Sequence, residues 1–428
     1  MSDREDAAPA GVAGVAGRRF GDGLAVGPDL VGAAEVAVGQ ALAPLEGIRP
    51  DLLVFFVCPG ASGDFEQTEL AGSRVMELAD ARACVGATAH GVIADGRGAE
   101  GSPSVAVWAA TLPGTSITPI RLTAEASEDR TLSVSGMPTP GEDAGVAMLL
   151  ADPFAFPVAG MLERMNTMHP GFPLVGGLAS APGGAAGNRL FADGEVLPGG
   201  AVGVLFGGQA QARAVVSQGC RPIGPPMVVT RTEKNLLLEL AGAPAATRLR
   251  EIVGALPAAE QQLALRGLHI GVAMDEYADE HGRGDFLIRG VLGVERERDA
   301  VVVGDVLAVG QTVRFQVRDS AGAEQNLTEL LGRAVRGGPA QGALLFSCNG
   351  RGASMFGDAD HDVRVVRGSL AERSAGGTRV GAERSAGGTS ISTESAPPVA
   401  GFFAAGEIGP VGGRNHLHGF TASVLVFG

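Results

Sequence analysis

The sequence predicts an α/β fold of repeated β-α-β-β units, with mixed sheets and helices on their outer faces. Three observations carry this. Apolar runs of strand length recur, the clearest being Leu52-Leu53-Val54-Phe55-Phe56-Val57 between Pro50 and Pro59. Runs of this kind mark strands buried on both faces. Each of three such runs is followed by a helical pattern and then by two more strand-like runs. The turns after the middle strands are also alike: Val85-Gly86-Ala87-Thr88-Ala89-His90-Gly91, Val175-Gly176-Gly177-Leu178-Ala179-Ser180 and Gly401-Phe402-Phe403-Ala404-Ala405-Gly406-Glu407. Similar units at intervals point to duplicated modules, packed as a layered α/β sandwich. The competing explanation is that Ala/Gly-rich sequences imitate one another.

In chain order, residues 1–18 are expected to be a disordered leader, acidic and then Ala/Gly/Pro-rich. Small and apolar residues at 30–45 suit a helix that ends before Pro50. The first unit then has a strand at 52–57, a helix at 65–79 and strands at 84–93 and 105–112. The second has a strand at 145–150, a helix at 156–168 and strands at 174–179 and 201–206. The third has a strand at 343–346, a helix at 355–370 and strands at 399–404 and 421–427. Between the second and third units, 236–240, 247–256 and 326–335 read as helix. Short strands are expected at 269–274, 286–292, 300–303 and 311–317. The octet Ala371-Glu372-Arg373-Ser374-Ala375-Gly376-Gly377-Thr378 returns at 382–389, and the segment 371–398 reads as a flexible insertion.

Composition excludes several function classes. At 428 residues and 45% hydrophobic, the chain is long enough for two or three packed units with full cores. Its 33 basic and 47 acidic residues leave a net charge of −14, with no basic stripe for nucleic acid or anionic lipid. Lys234 is the only lysine, so no GxxxxGK[ST] phosphate loop exists and a Schiff-base enzyme would depend on that one residue. Cys58, Cys84, Cys220 and Cys348 are widely spaced, with neither a CxxC nor a Cys/His cluster. Reduced thiols in a cytoplasmic protein are expected, without a metal or other cofactor. The N-terminus lacks signal-peptide features, and the charge-free run 101–120 is broken by Pro103, Pro113 and Gly114, so no membrane span is expected.

The chemistry-bearing residues gather in three glycine-rich turns: Ser347-Cys348-Asn349-Gly350-Arg351-Gly352, Arg283-Gly284-Asp285, and Gly406-Glu407-Ile408-Gly409-Pro410-Val411-Gly412-Gly413-Arg414-Asn415. Strands that end in such turns expose backbone N–H groups at one edge of a sheet, where polar ligands bind. Together with Cys220-Arg221-Pro222-Ile223-Gly224-Pro225-Pro226 and Asp275-Glu276-Tyr277, these segments resemble the FIST family. The resemblance runs from about Phe20 to Gly428. It implies an N-terminal domain over 19–215 and a C-terminal domain over 216–428, with the 371–398 insertion outside the pattern. It also implies a small-ligand sensor, with amino acids as the proposed ligand class and a protein signalling partner.

Arg351 and Arg289 suit a bidentate clamp on a carboxylate, and Glu407 and Asp285 suit an ammonium group. Arg221, Asp275, Asn349 and Asn415 complete the candidate set, with Tyr277 as a further hydroxyl donor. The simpler reading is that these charges pair with one another and hold the turns. Cys348, beside an arginine and free amides, is the candidate nucleophile of an alternative thiol-dependent hydrolase or transferase, with His416 or His418 as its base. A buried structural cysteine competes with that role. A third reading is an interaction scaffold. His416 and His418, with Glu407 or Asp360 as a third ligand, are the residues from which a metal site would have to be built, and Arg283-Gly284-Asp285 is read as a coincidental match to an adhesion tripeptide.

Overall fold

The structure is a computed structural model that describes residues 17–61, 63–126, 132–278, 281–282, 284–374 and 396–428. Most of the expected leader, most of the 371–398 insertion and Arg283 lie outside the described residues. The fold is mixed α/β, as the sequence predicts, and three modules share one plan.

In the first module, Leu52–Cys58 pairs in parallel with Ala83–Thr88 and antiparallel with Ser104–Thr111, and Arg19–Val26 closes the far edge. In the second, Ala144–Ala151 pairs in parallel with Leu174–Leu178 and antiparallel with Ala201–Gly208, which in turn pairs with Thr115–Ala126. In the third, Gly342–Cys348 pairs in parallel with Val399–Ala404 and antiparallel with Thr421–Phe427, which pairs with Ala212–Gln218. The crossover helices are Phe65–Ala79, Val158–Met168 and His361–Ser374. The first is capped by Asp64, whose side chain accepts from the Gln67 amide.

The modules share register as well as topology. Gly86 faces Phe55, Gly176 faces Leu149 and Gly401 faces Leu345 across the parallel pair. A Cβ at Gly86, Gly176 or Gly401 would stand 2.7, 1.8 or 1.7 Å from the facing carbonyl oxygen. The repeated glycine in the three turns is therefore a backbone-packing requirement, and the duplication is real. Gly176→Ala and Gly401→Ala should each cost about 3 kcal/mol, the upper end for overpacking. Gly254, in the helix Ala245–Ala255, has no atom of the described residues outside its own helix backbone and chain neighbours within 4 Å of its would-be Cβ. Gly254→Ala should therefore leave the melting midpoint unchanged or raise it slightly. Thermal unfolding of the three variants checks the contrast.

Each module also lends a hairpin to a neighbour. Gly91–Ala94 and Arg97–Glu100 of the first extend the third module's sheet. Leu190–Ala192 and Glu195–Leu197 of the second extend the first module's sheet. Glu407–Val411 and Arg414–His418 of the third extend the second module's sheet. The exchange is cyclic. The inner faces of the three sheets meet in one core that includes Phe56, Trp108, Met148, Phe206, Phe346, Phe402 and Phe427. The Phe56 and Phe402 rings stack at 4.6 Å, and Trp108 lies 5.1 Å from Phe427. Helices cover the outer faces in separate apolar layers.

The stretch between the second and third modules forms a small closed barrel. Thr312–Arg318, Met227–Glu233, Leu236–Leu240, Ala300–Val303, Phe286–Glu295 and Leu268–Ala273 pair antiparallel in that order, and the last pairs back with the first. Its interior holds Val229, Leu237, Leu240, Ile270, Val301, Val313 and Phe315. Here the sequence misleads: 236–240 is a strand, although Leu-Leu-Leu-Glu-Leu has high helix propensity. Pairing on both sides, with Met227–Glu233 and Ala300–Val303, overrides that local preference.

Candidate functional site

The site is built on the C-terminal ends of the third module's parallel strands, the edge where open α/β sheets offer ligands a crevice. Cys348 ends its strand and is buried. Its sulfur accepts from the Gly350 amide at 3.5 Å. The chain then turns through exposed Asn349 into Arg351, which is fully buried. Arg351 forks onto Asp362 at the start of the crossover helix, Nε to Oδ2 at 2.7 Å and Nη2 to Oδ1 at 2.9 Å. Asp362 also accepts from the Ser347 hydroxyl at 2.7 Å. Glu407, fully buried where the exchanged hairpin leaves the sheet, accepts from the Thr421 hydroxyl at 2.7 Å and the Thr421 amide at 3.2 Å through Oε2. Among the described residues, Arg351 Nη1 and Glu407 Oε1 have no well-formed hydrogen bond, the Cys348 thiol being the side chain that meets the Glu407 carboxyl besides Thr421.

Electrostatics set these groups apart. Burial pushes the Glu407 carboxyl up to about 8 against the opposing pull of Thr421 and Arg351. Burial acts against the charge of Asp362 too. There Arg351, with help from His361 and Ser347, outweighs it and holds the carboxyl well below the usual range. Burial, then the nearby Glu407, pushes the Cys348 thiol up. The thiolate that nucleophilic catalysis needs is thus disfavoured. His418 is buried, with Nε2 against the Gly409 carbonyl at 3.0 Å, and burial lowers its pKa to about 4. Among the described residues, the groups that meet the Cys348 thiol are Asn349, the Gly350 amide, the Phe420 backbone and the Glu407 carboxyl, and neither His416 nor His418 is one of them.

Glu407 gives a pH signature. Its folded pKa of about 8 lies above the ordinary 4.5, so the folded state holds this proton more tightly. The stability it contributes is complete below about 4.5 and is lost as pH rises through about 8. Glu407→Gln should flatten the fall in unfolding free energy across that window, as read by urea titrations at a series of pH values.

The turn Phe420-Thr421 joins this cluster to the barrel. Phe420 adopts φ +59°, a strained conformation for a bulky residue. Its carbonyl accepts from the Gly219 amide at 2.9 Å. Its ring lies 4.0 Å from His269 and 4.5 Å from the Arg318 guanidinium, both on barrel strands. A Cβ at Gly219 would stand 2.8 Å from Arg351 Nη1, so only a glycine leaves room beside the unpaired nitrogen.

The other sequence-derived candidates are placed elsewhere. Arg289 pairs with Asp305 at 2.5 Å and donates to the Leu417 carbonyl at 3.3 Å. Arg221 lies 3.3 Å from Asp319, the N-cap of the helix Ser320–Ala334, and 3.5 Å from Glu260. Asp275 accepts from the Tyr277 amide, Asp285 accepts from the Gly282 amide, and Tyr277 is 96% exposed. Asn415 is buried against Asn166 of the second module's helix and the Leu174 amide, fastening the exchanged hairpin. Asp360 accepts from the Gly98 amide of another exchanged hairpin. The bidentate clamp expected of Arg351 is taken up by Asp362, which leaves one nitrogen free. The segment 407–415, expected to be a turn, is two strands joined at Gly412 and Gly413. Sequence reasoning missed Asp362, Thr421, Gly219 and Phe420. The one available signal was an acid at the start of the following helix, eleven positions after Arg351.

Comparison with known proteins agrees with this architecture. The FIST N domain matches residues 51–243 and the FIST C domain residues 245–410. The uncharacterized protein Rv0628c of Mycobacterium tuberculosis is 39% identical over 411 residues, 96% of this chain and 99% of the relative. The uncharacterized protein Mb0898c of Mycobacterium bovis is 40% identical over 411 residues, 96% of this chain and 98% of the relative. FIST domains are described as small-ligand-binding sensory domains of signalling proteins. Among the described residues no helix is long and apolar enough to cross a membrane. With both of its domains matched along most of its length, the chain belongs to the FIST family.

Proposed function

We propose that this protein is a cytoplasmic sensor of a small metabolite bearing both an acceptor and a donor, an α-amino acid being the class that fits. The observation that carries the reading is the pair of buried polar atoms left without a hydrogen bond among the described residues, Arg351 Nη1 and Glu407 Oε1, beside the paired Asp362 and Thr421. Unsatisfied buried groups are costly and mark places where a partner is expected. A carboxylate would take the arginine N–H, and an ammonium group would face Glu407. Cys348 and Asn349 would line the same site. Because Arg351 and Glu407 are fully buried, a ligand must displace the turn 349–352 to reach them. That displacement, and the Phe420 contact with the barrel, are how occupancy would reach a protein partner.

The test is calorimetric titration of amino acids. Burial raises the Glu407 carboxyl of the free protein to about 8, and an ammonium group beside it favours the carboxylate. Binding should therefore release a proton, seen as a heat that scales with buffer ionisation enthalpy. Glu407→Gln should abolish the release and weaken affinity about tenfold or more. Binding without proton uptake or release, with affinity unchanged in Glu407→Gln, sinks the assignment.

A further inference from the structure

The shared register identifies a second site. Counting three residues beyond Phe55, Leu149 and Leu345 leads to Cys58, Asp152 and Cys348, the equivalent strand ends of the three modules. All three are buried. Cys348 and Asp152 share a local device: each accepts from the amide two residues on, Gly350 to Sγ at 3.5 Å and Phe154 to Oδ1 at 2.9 Å. The second module thus places a carboxyl group where the third places a thiol.

Asp152 is 1% exposed. Oδ1 also receives the Asn188 amide at 3.3 Å, whereas Oδ2 has no hydrogen-bond partner among the described residues. Beside it lies a cavity of about 350 Å³, lined by Arg121, Leu122, Ala155, Leu197, Pro198 and Gly199 among others. The wall between oxygen and cavity is glycine. A Cβ at Gly199 would stand 3.5 Å from Oδ2 and 2.7 Å from the Ala155 Cβ, and Gly200 next to it has φ +95°. Among the described residues, the guanidinium in the lining is Arg121, which is paired with Glu195 at 2.6 Å. The buried atom left without a partner beside the cavity is therefore an acceptor, near the apolar walls formed by Leu122, Leu197 and Ala155.

We propose that this cavity is a second ligand site, taking a small aliphatic primary amine whose ammonium group reaches Asp152 Oδ2 as the Gly199-Gly200 backbone shifts aside, and whose hydrocarbon lies against Leu122, Leu197 and Ala155. The site stands on its own observations, independent of the Arg351–Glu407 cluster. An acceptor left bare in a buried position is matched by a charged donor more strongly than by a neutral one. A ligand that binds only the folded state raises the unfolding midpoint.

Thermal unfolding is followed with propylammonium chloride and, at equal ionic strength, tetramethylammonium chloride, which has no N–H to donate. The expected result is a rise in midpoint with propylammonium alone. Asp152→Asn keeps the Oδ1 bonds and should weaken that response about tenfold or more. Ala155→Leu, at an exposed position on the rim, should do the same by filling the cavity, and it decides the matter if Asp152→Asn fails to fold. Glu407→Gln should leave the propylammonium response in place. The proposal is overturned if propylammonium gives no specific rise, if the rise survives in Ala155→Leu, or if Glu407→Gln abolishes it, which would assign the amine to the other site.

Discussion

Asp362→Ala should cost about 3–5 kcal/mol of folding stability, a large part of the 5–15 kcal/mol typical of a folded protein. Arg351 has no exposed surface, and both arms of its fork rest on this one carboxylate. Removing the acid leaves a guanidinium in the core without its bidentate partner and out of reach of water, with the buried Glu407 carboxyl acting on it only through its charge. Ser347 would lose its acceptor in the same step. The Arg49–Asp80 pair is the internal control, at 3.0 Å with 55% and 81% exposed side chains. Asp80→Ala should cost about 1 kcal/mol or less. Replacing both buried partners, Arg351→Met with Asp362→Leu, should restore most of the loss, because the burial penalty disappears with the charges. Acid should have the same effect as the single variant. The folded pKa of Asp362 is depressed, so its contribution is present above the ordinary 3.8 and disappears as pH falls below it. That sign is opposite to Glu407 a few residues away in space, and the two carboxyls bound a stability maximum from opposite sides. Urea denaturation of the single variants and the double variant measures these terms. An Asp362→Ala loss no greater than that of Asp80→Ala refutes the account.

Much of the frame was legible in the sequence because its signals are local. The helix Phe65–Ala79 and the strands Val399–Ala404 and Thr421–Phe427 fall at their expected bounds, each marked by an unbroken periodicity and flanking breakers. The three modules could be read from their turns because Gly86, Gly176 and Gly401 answer the same carbonyl contact. The expected strand 84–93 is instead two, Ala83–Thr88 and Gly91–Ala94, in different sheets. No local pattern says that a strand leaves its own sheet, since an apolar run looks the same whichever partner it finds. The barrel was half visible for a related reason. Its strands are short, and Leu236–Leu240 is decided by neighbours far along the chain. At the site, the sequence picked out Cys348, Arg351 and Glu407 by residue type and glycine context. What each residue does depends on contacts at a distance: Asp362 takes the fork, Thr421 takes one oxygen of Glu407, and burial raises that carboxyl's pKa. Asp152 went unnoticed because it sits in no glycine-rich polar turn, and only the register shows its equivalence to Cys348.

Neither half of the chain should fold alone, even though the family divides it at about residue 244. Cut there, residues 1–243 keep the first two modules but lose the hairpin of Glu407–Val411, which pairs with Leu174–Leu178, and Arg414–His418, which holds the helix Val158–Met168 through Asn415. The fragment also loses Phe346, Phe402 and Phe427 from the shared core. Residues 244–428 fare worse. Ala212–Gln218, an edge strand of the third sheet, goes with the other fragment, as does the 91–100 hairpin on its opposite side. The barrel is opened too, because Met227–Glu233 and Leu236–Leu240 are two of its six strands. Unpaired edges and exposed apolar faces favour aggregation over partial folding. Each fragment expressed alone should lack near-ultraviolet circular dichroism and a cooperative unfolding transition, and the two expressed together should recover both. A cooperative transition in isolated 1–243 would show that the cyclic hairpin exchange is decoration on independently stable domains. Without such a transition, the exchange makes the fold one unit. A ligand that moves Glu407 would then act directly on the sheet of the second module, since Glu407 faces Gly177 across that pairing.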